Sequence, residues 1–429
     1  MCDLITNKRD FPLGFRGDKK PSPLEAGELT QLLEEAFVKS IRFNLLTLYC
    51  EQNEQAIPAH ELESLYISLS EKGWKIDKTK AIDSLMTHAR RNSYHPITEY
   101  LDYIEKDDNV KPIEIGKLAT NYLGTTDPLY DLMLRQTVIG AVARIMNPGC
   151  KFDTCTVLLG HQGIGKSTFW KTLAFPAWFA DTPQEKDQDL RLLIQTCWIY
   201  ELAELETTTS KKAAGALKGM LSSSVDKFRA PYAKGVEDRP RPSIIVGSCN
   251  SKDFLRDDTG SRRYWVIHLP QKPGEKLKTE KLRLDRDGIW KGALAAYKNG
   301  DLPFLSQEWE HQSTIRNQDF EPEDPWLEPI QLWLKRENHG EFTTNQALLG
   351  SGLRQIDQLR NSDARDAARV LRALGYECRQ RRTGSGSGRV RIWQKVDTGV
   401  TGEIHTAVTS QNTCSAIDPG GLSHVTADF

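Results

Sequence analysis

The stretch Gly160-His161-Gln162-Gly163-Ile164-Gly165-Lys166-Ser167 constrains this chain more than any other. It fits G-x-x-x-x-G-K-[ST], a loop whose successive backbone amides form a nest for phosphate. An apolar run, Thr156-Val157-Leu158-Leu159, precedes it, and Thr168-Phe169-Trp170-Lys171-Thr172-Leu173 reads as a helix after it. Strand, loop and helix in that order are the context the motif needs, and they point to an α/β fold. Glycines let the backbone approach phosphate at positive φ with little steric penalty, and the helix N-terminus adds its own positive end. Gly160, Gly163, Ile164, Gly165, Lys166, Ser167 and Thr168 are therefore the expected nucleotide-binding residues. In this reading Lys166 neutralises the β and γ phosphates of ATP, and Ser167 ligates Mg²⁺.

A chain of 429 residues has room for two to four domains. The formal net charge of −1 gives no whole-protein field toward nucleic acid, so any DNA-binding surface must be local. No apolar run approaches the roughly 20 residues that span a bilayer, and the first residues, Met1 to Arg9, lack the apolar core of a signal peptide. The expectation is a cytoplasmic protein with no membrane partner. The eight cysteines include no second pair at zinc-ligand spacing; Cys155, Cys197 and Cys249 lie in or beside apolar runs and read as free buried thiols.

Residues 1–25 are polar and rich in charge, Pro and Gly, the pattern of a flexible arm. Residues 26–125 read as a helical region, with Glu34, Phe37, Val38 and Ile41, and then Leu62, Leu65, Tyr66 and Leu69, at helical spacing. Residues 126–319 form the expected nucleotide-binding domain. Its first helix, Asp127 to Met146, carries Leu132, Ile139, Val142 and Met146 on one face. Beyond it, short apolar strands separated by helices argue for a three-layer core with a mainly parallel sheet. A charged linker runs from Pro270 to Asp287, and residues 288–318 read as helical. Residues 326–396 read as three helices and a hairpin about the turn Gly384 to Gly388, a winged-helix-like domain, and 397–429 as a disordered tail.

Chemistry-bearing residues follow the loop in order. The apolar run Thr196 to Tyr200 ends in Glu201-Leu202-Ala203-Glu204. Carboxylates at that strand end suit a magnesium shell and the polarisation of an attacking water. Glu201 is the better candidate for the metal and Glu204 for the water, and the sequence leaves their exchange open. The run Ser243 to Cys249 ends at Asn250, placed to hydrogen-bond the γ-phosphate. Arg262 and Arg263 then lead into Tyr264-Trp265-Val266-Ile267. Either can act as an arginine finger, in cis or from a neighbouring subunit. Loop, acidic strand end, Asn and paired Arg in this order describe a ring-forming ATPase core.

Two basic regions are candidate DNA contacts. Lys218 lies on the expected helix Ala213–Leu221, and Lys227, Arg229, Tyr232 and Lys234 mix cations with an aromatic ring, which suits a single strand. From Arg354 to Lys395 there are eleven Lys or Arg against four Asp or Glu. Arg381, Arg382 and Arg389 flank the Gly-Ser turn, where a wing meets a phosphate backbone; a protein-docking domain is the other reading of this segment.

Glu201-Leu202-Ala203-Glu204, Asp226-Lys227-Phe228-Arg229-Ala230-Pro231-Tyr232 and Thr259-Gly260-Ser261-Arg262-Arg263-Tyr264-Trp265 resemble the virulence-associated protein E family, as does Tyr94-His95-Pro96 followed by Tyr100-Leu101. The resemblance spans roughly residues 40–270. It implies a protein of bacteriophages, prophages or mobile islands, similar to superfamily 3 helicases, which are AAA-type P-loop motors that assemble as rings, most often hexamers. The implied activity is ATP-driven, Mg²⁺-dependent movement on single-stranded or origin DNA, in company with a primase or host replication protein. Family members are often fused to a primase-polymerase domain, for which this chain has no room before residue 40. Two rivals remain: an ATP-switched initiator or helicase loader, and a small-molecule kinase using the same loop.

Overall fold

The computed structural model describes residues 11–15, 20–37, 40–184, 186–205, 211–229, 235–252, 254–255, 261–321, 324–336, 340–382 and 389–396. The chain divides into two compact units, Met1–Pro322 and Glu323–Phe429.

The first unit begins with a small α/β layer. Strand β1 (Ser22–Pro23) is followed by helix α1 (Ala26–Ala36), then by β2 (Ile41–Phe43), β3 (Cys50–Gln52) and β4 (Gln55–Ala56). Helix α2 (Ala59–Glu71), β5 (Trp74–Lys75) and α3 (Lys78–Arg91) complete it. The layer packs about Leu29, Leu33, Leu62, Leu65, Leu69 and Leu85. Two expectations are corrected here. The region is not helical throughout: Ile41 does not continue the stripe of Phe37 but starts an antiparallel meander, β2-β3-β4, whose last turn uses positive φ at Asn53 and Glu54. Nor is the segment before α1 a loose arm over its described part. Phe11 and Leu24 are buried, the indole of Trp74 donates to Pro12 O at 2.9 Å, and β1 pairs in parallel with β5. Two buried apolar anchors and a strand bridge outweigh the polar composition that suggested an arm.

Helices α4 (Pro96–Lys106) and α5 (Pro128–Met146) lead into the central sheet. Asp127 caps α5, its carboxylate accepting from Leu129 N at 3.0 Å. The expected one-faced stripe is too narrow. Leu129, Met133, Leu134, Val138, Ile139, Val142 and Ile145 are all buried, Leu132 is half-buried and Met146 is exposed, so this helix is covered on nearly every side.

The central sheet has five parallel strands: β6 (Cys155–Leu159), β7 (Phe179–Ala180), β8 (Ile199–Leu202), β11 (Ile244–Cys249) and β12 (Tyr264–His268), in the order β12-β6-β11-β8-β7. Both faces are buried. Leu158, Val246 and Ile267 pack into one apolar cluster with α5, while Val157, Leu159, Ile245 and Val266 pack into another on the opposite face. That alternation along each strand is what a sheet sandwiched between helices requires. The described helices of this region are α6 (Lys166–Ala174), α7 (Asp187–Gln195), α8 (Lys211–Ser222), α9 (Thr279–Lys298) and α10 (Gln307–Asn317). Helix α9 starts inside the stretch expected as a linker. Its Trp290 stacks on Trp198 at 4.0 Å between ring centroids, and the Trp290 indole donates to Leu173 O at 2.9 Å, tying α9 to the end of α6. A hairpin, β9 (Val225–Phe228) and β10 (Glu237–Pro240), stands outside the sheet.

The second unit contains α11 (Leu327–Arg336), β13 (Glu341–Phe342), α12 (Thr344–Gly350), α13 (Asn361–Ala373), β14 (Tyr376–Arg382) and β15 (Arg389–Lys395). Its strands form an antiparallel sheet in the order β13-β15-β14 around a core of Ile330, Trp333, Phe342, Leu348, Val370, Leu371 and Trp393. Thr343 caps α12 in a reciprocal pair with Gln346. The Gly-Ser turn and the tail 397–429 lie outside the described residues. Among the described residues, no helix is long and apolar enough to cross a membrane.

Candidate functional site

The carboxyl ends of β6, β8 and β11 meet at one pocket of about 430 Å³. Crevices at strand carboxyl ends are where open α/β sheets hold ligands. One wall is the glycine loop, Gln162 to Thr168. Facing it are Ala203 and Glu204 beyond β8, Ser248 and Asn250 at the end of β11, and Lys276, Leu277 and Thr279 from the segment leading into α9. Gly163 and Gly165 have φ of +80° and +101°, values at which a side chain would be strained, and Gly165 is the N-cap of α6. The loop's amides and the helix N-terminus thus border an open, polar space.

Lys166, the first residue of α6, is buried, and its ammonium donates to Gly160 O at 2.8 Å, His161 O at 2.9 Å and Asn250 Oδ1 at 2.8 Å. Ser167 Oγ donates to Glu201 Oε1 at 2.9 Å. Glu201 lies within β8 opposite Val246 and is fully buried. Burial pushes its carboxyl above the ordinary range, with Asp181 adding to the rise and the neighbouring hydroxyls of Ser248 and Ser167 and the charge of Lys166 opposing it. Its second oxygen, Oε2, is buried with no hydrogen-bond partner among the described residues. A buried carboxylate oxygen without a partner is costly. A hydroxyl and a carboxylate side by side are the hard oxygen donors that Mg²⁺ takes, usually one or two from protein and the rest from phosphate and water. Ser167 and Glu201 therefore fit a magnesium ion. No cluster of three or more His, Cys, Asp or Glu with metal-site geometry occurs among the described residues, so any such ion would need ligands from phosphate or water.

Glu204 lies past the strand end, exposed, with φ of +53°, on the wall of the pocket. The loop, Lys166, Ser167, Thr168, Glu204 and Asn250 thus line one pocket, with Glu201 at its floor through the Ser167 bond. Arg262 and Arg263 do not reach it. They precede β12, whose first residue, Tyr264, pairs with Cys155 at the start of β6, while the loop follows the far end of that strand. Five residues at about 3.3 Å each put them roughly 16 Å away, at the amino ends of the strands. There Arg263 Nε donates to Ser222 Oγ at 3.1 Å and faces Asp153 Oδ2 at 4.0 Å. Within one chain the arginine pair and the pocket are separate features.

The hairpin β9-β10 rests on a buried ion pair. Arg241 donates to Asp226 through Nε at 2.8 Å and Nη2 at 2.6 Å, and Gln195 Nε2 adds a bond to Asp226 at 3.1 Å. Asp226 and Phe228 face inward and Lys227 is exposed, as is Arg229 just beyond the strand. Lys227 pairs with Asp238 across the hairpin at 3.4 Å. Lys218 is half-buried on α8. Tyr232 and Lys234 lie outside the described residues. In the second unit Arg381 bonds Glu341 at 2.6 Å, and Arg382 and Arg389 are opposite each other in the β14-β15 register. Local acids thus offset part of the positive excess counted in the sequence.

Ser248 and Lys276 were not anticipated. Ser248 had a signal, since it is a polar residue one position from the end of an apolar strand. Lys276 had none: it is one lysine among several in a charged stretch.

No curated protein matches the chain. Among solved structures, the apo structure of the NrS-1 C terminal region is similar over 86% of this chain and 98% of its own, at 11% identity and a TM-score of 0.42. An A form apo structure of the same region gives 86%, 99%, 11% and 0.44. Residues 104–322 match the virulence-associated protein E-like domain. That match takes in the whole parallel sheet, the glycine loop and Glu201, and it spans half of the sequence: the chain belongs to the virulence-associated protein E-like family.

Proposed function

We propose that this protein is an ATP-hydrolysing DNA motor, a replicative helicase of a phage or mobile element working in the bacterial cytoplasm. The observation that carries the reading is the convergence of Lys166, Ser167, Glu201 and Asn250 at the carboxyl ends of three parallel strands. In this reading the first unit holds an AAA-type P-loop core. The loop amides and Lys166 hold the triphosphate, exchanging the ammonium's bonds to Gly160 O and His161 O for phosphate oxygens. Ser167 and Glu201 hold Mg²⁺, which when bound screens the charge between the β and γ phosphates. Glu204 polarises the water for in-line attack, and Asn250 bonds the γ-phosphate. The position of Arg262 and Arg263 at the amino ends of the strands, away from the pocket, favours an arginine finger supplied by a neighbouring subunit, hence a ring, with six subunits the working number. Lys218, Lys227 and Arg229, with Tyr232 and Lys234, contact single-stranded DNA. The second unit, read as a winged helix, brings Arg381, Arg382 and Arg389 to origin DNA or to a primase or host replication protein.

ATP hydrolysis is expected to rise on adding single-stranded DNA and to fall at least a hundredfold in Lys166→Ala, with unchanged circular dichroism. Parent-level turnover in that variant overturns the assignment. A strand-displacement assay separates a helicase from an initiator or loader, which would hydrolyse ATP with DNA and displace nothing.

A further inference from the structure

The geometry points to Lys276 as a second phosphate-binding cation, reaching a nucleotide from the wall opposite Lys166; this rests on the proposed ATP site. The segment carrying it is fixed to the glycine loop. Leu277 is buried, and its backbone N–H donates to Ile164 O at 2.9 Å. Just upstream a closed turn sets the approach. Lys272 N donates to Glu275 Oε2 at 2.9 Å, Glu275 N returns to Lys272 O at 3.0 Å, and Gly274 sits at φ +91°. Gln271 Nε2 anchors the start of the segment on Leu123 O at 2.8 Å. Backbone and turn together hold the Cα of Lys276 beside the loop. The side chain is exposed, lines the same pocket and donates its ammonium to Gly163 O at the loop's tip.

The two lysines differ in what binds them. The Lys166 ammonium is buried against three oxygens. Lys276 leans on a neutral carbonyl at the rim, at the end of a flexible four-carbon stem on a fixed backbone. Exchanging that carbonyl for a phosphate oxygen turns a charge-dipole contact into a charge-charge hydrogen bond, the stronger of the two. An ammonium one hydrogen bond from Gly163 is also within reach of any phosphate cradled by the amides around that residue. Lys276 therefore binds phosphate and does not merely brace the loop. Its contribution grows with the number of phosphates and weakens with salt, because an exposed charge is screened.

Fluorescence titration of the full chain with mant-ATP and mant-AMP tests this, using the parent, Lys276→Met, Lys276→Arg and Lys166→Ala at low and high salt. Lys276→Met is expected to weaken mant-ATP binding roughly fivefold to tenfold at low salt. It should leave mant-AMP within about twofold, and Lys276→Arg should restore most of the loss. The deficit should shrink at 0.5 M salt, about where the screening length falls toward 4 Å. If Lys276→Met loses both nucleotides equally, Lys276 only braces the loop and the inference fails. It also fails if mant-ATP binds as in the parent while Lys166→Ala has lost it, and in that case the ATP site stands. A parent that binds neither nucleotide removes the site and the inference together.

Discussion

Glu201 is a carboxylate held where a carboxylate is least comfortable, fully buried with one oxygen unpartnered. Because its folded-state pKa is raised, the ionised form opposes folding once pH exceeds the unfolded value of 4.5, and this penalty is present at neutral pH. Glu201→Gln is therefore expected to raise the melting temperature of the ligand-free protein at pH 7 by roughly 2 °C. The gain reflects about 1 kcal/mol from removing a buried charge, and it should fade as pH falls toward 4.5. The same variant should lose Mg²⁺-dependent ATP turnover. A melting temperature below the parent's, measured by scanning calorimetry at both pH values, refutes the stability half of this expectation. The place of Glu201 beside the glycine loop was legible because an acid at the end of the next apolar strand comes to the same end of a parallel sheet as that loop. Ser248 carried only a weak signal, a polar residue near the end of an apolar strand, and what it faces depends on which strand is its neighbour. Lys276 was hidden because its place on the pocket wall depends on a chain reversal that leaves no periodic trace.

At the scale of elements, helix α4 is capped by a group that titrates. His95 is its N-cap, with Nδ1 accepting from Thr98 N at 3.4 Å, and burial pulls its pKa from 6.5 down to about 4. A lowered histidine pKa favours the neutral form in the folded state. Its stability is complete above pH 6.5 and is lost as pH falls toward 4, amounting to roughly 2 kcal/mol by pH 5. His95→Asn keeps a capping acceptor without the titration. Urea midpoints at pH 7 and pH 5 are expected to move apart in the parent and to close up in this variant; equal pH sensitivity in both would assign the acid lability elsewhere. Four of the five strands of the parallel sheet were readable as apolar runs, because burial on both faces removes the polar alternation, while the two-residue β7 was too short to read. Those of the N-terminal meander, two or three residues each, are too short to show a period of two, and their region was read as helix. The start of α9 was missed because its first turns are charged and only Leu282 is buried before Gly288.

For the molecule as a whole, a single chain carries both halves of the proposed catalytic apparatus at opposite ends of one sheet's strands. The sequence held this in outline, since in a parallel sheet a loop that follows one strand and arginines that precede another emerge at opposite ends; that β12 pairs directly with β6 is what the structure adds. If the finger acts between subunits, Arg263→Ala and Glu204→Gln chains, each inactive alone, should recover roughly a tenth or more of parent turnover when mixed, since some interfaces then pair an intact finger with an intact pocket. Recovery is read from ATP turnover across mixing ratios, and a flat line at every ratio excludes action in trans. The stacked indoles of Trp198, just before β8, and Trp290 join that strand to the helix tied to α6. Two chromophores so close share their excited states. The protein thus carries an intrinsic optical gauge, and a near-ultraviolet dichroism band should register any loosening between those elements during turnover without a dye attached.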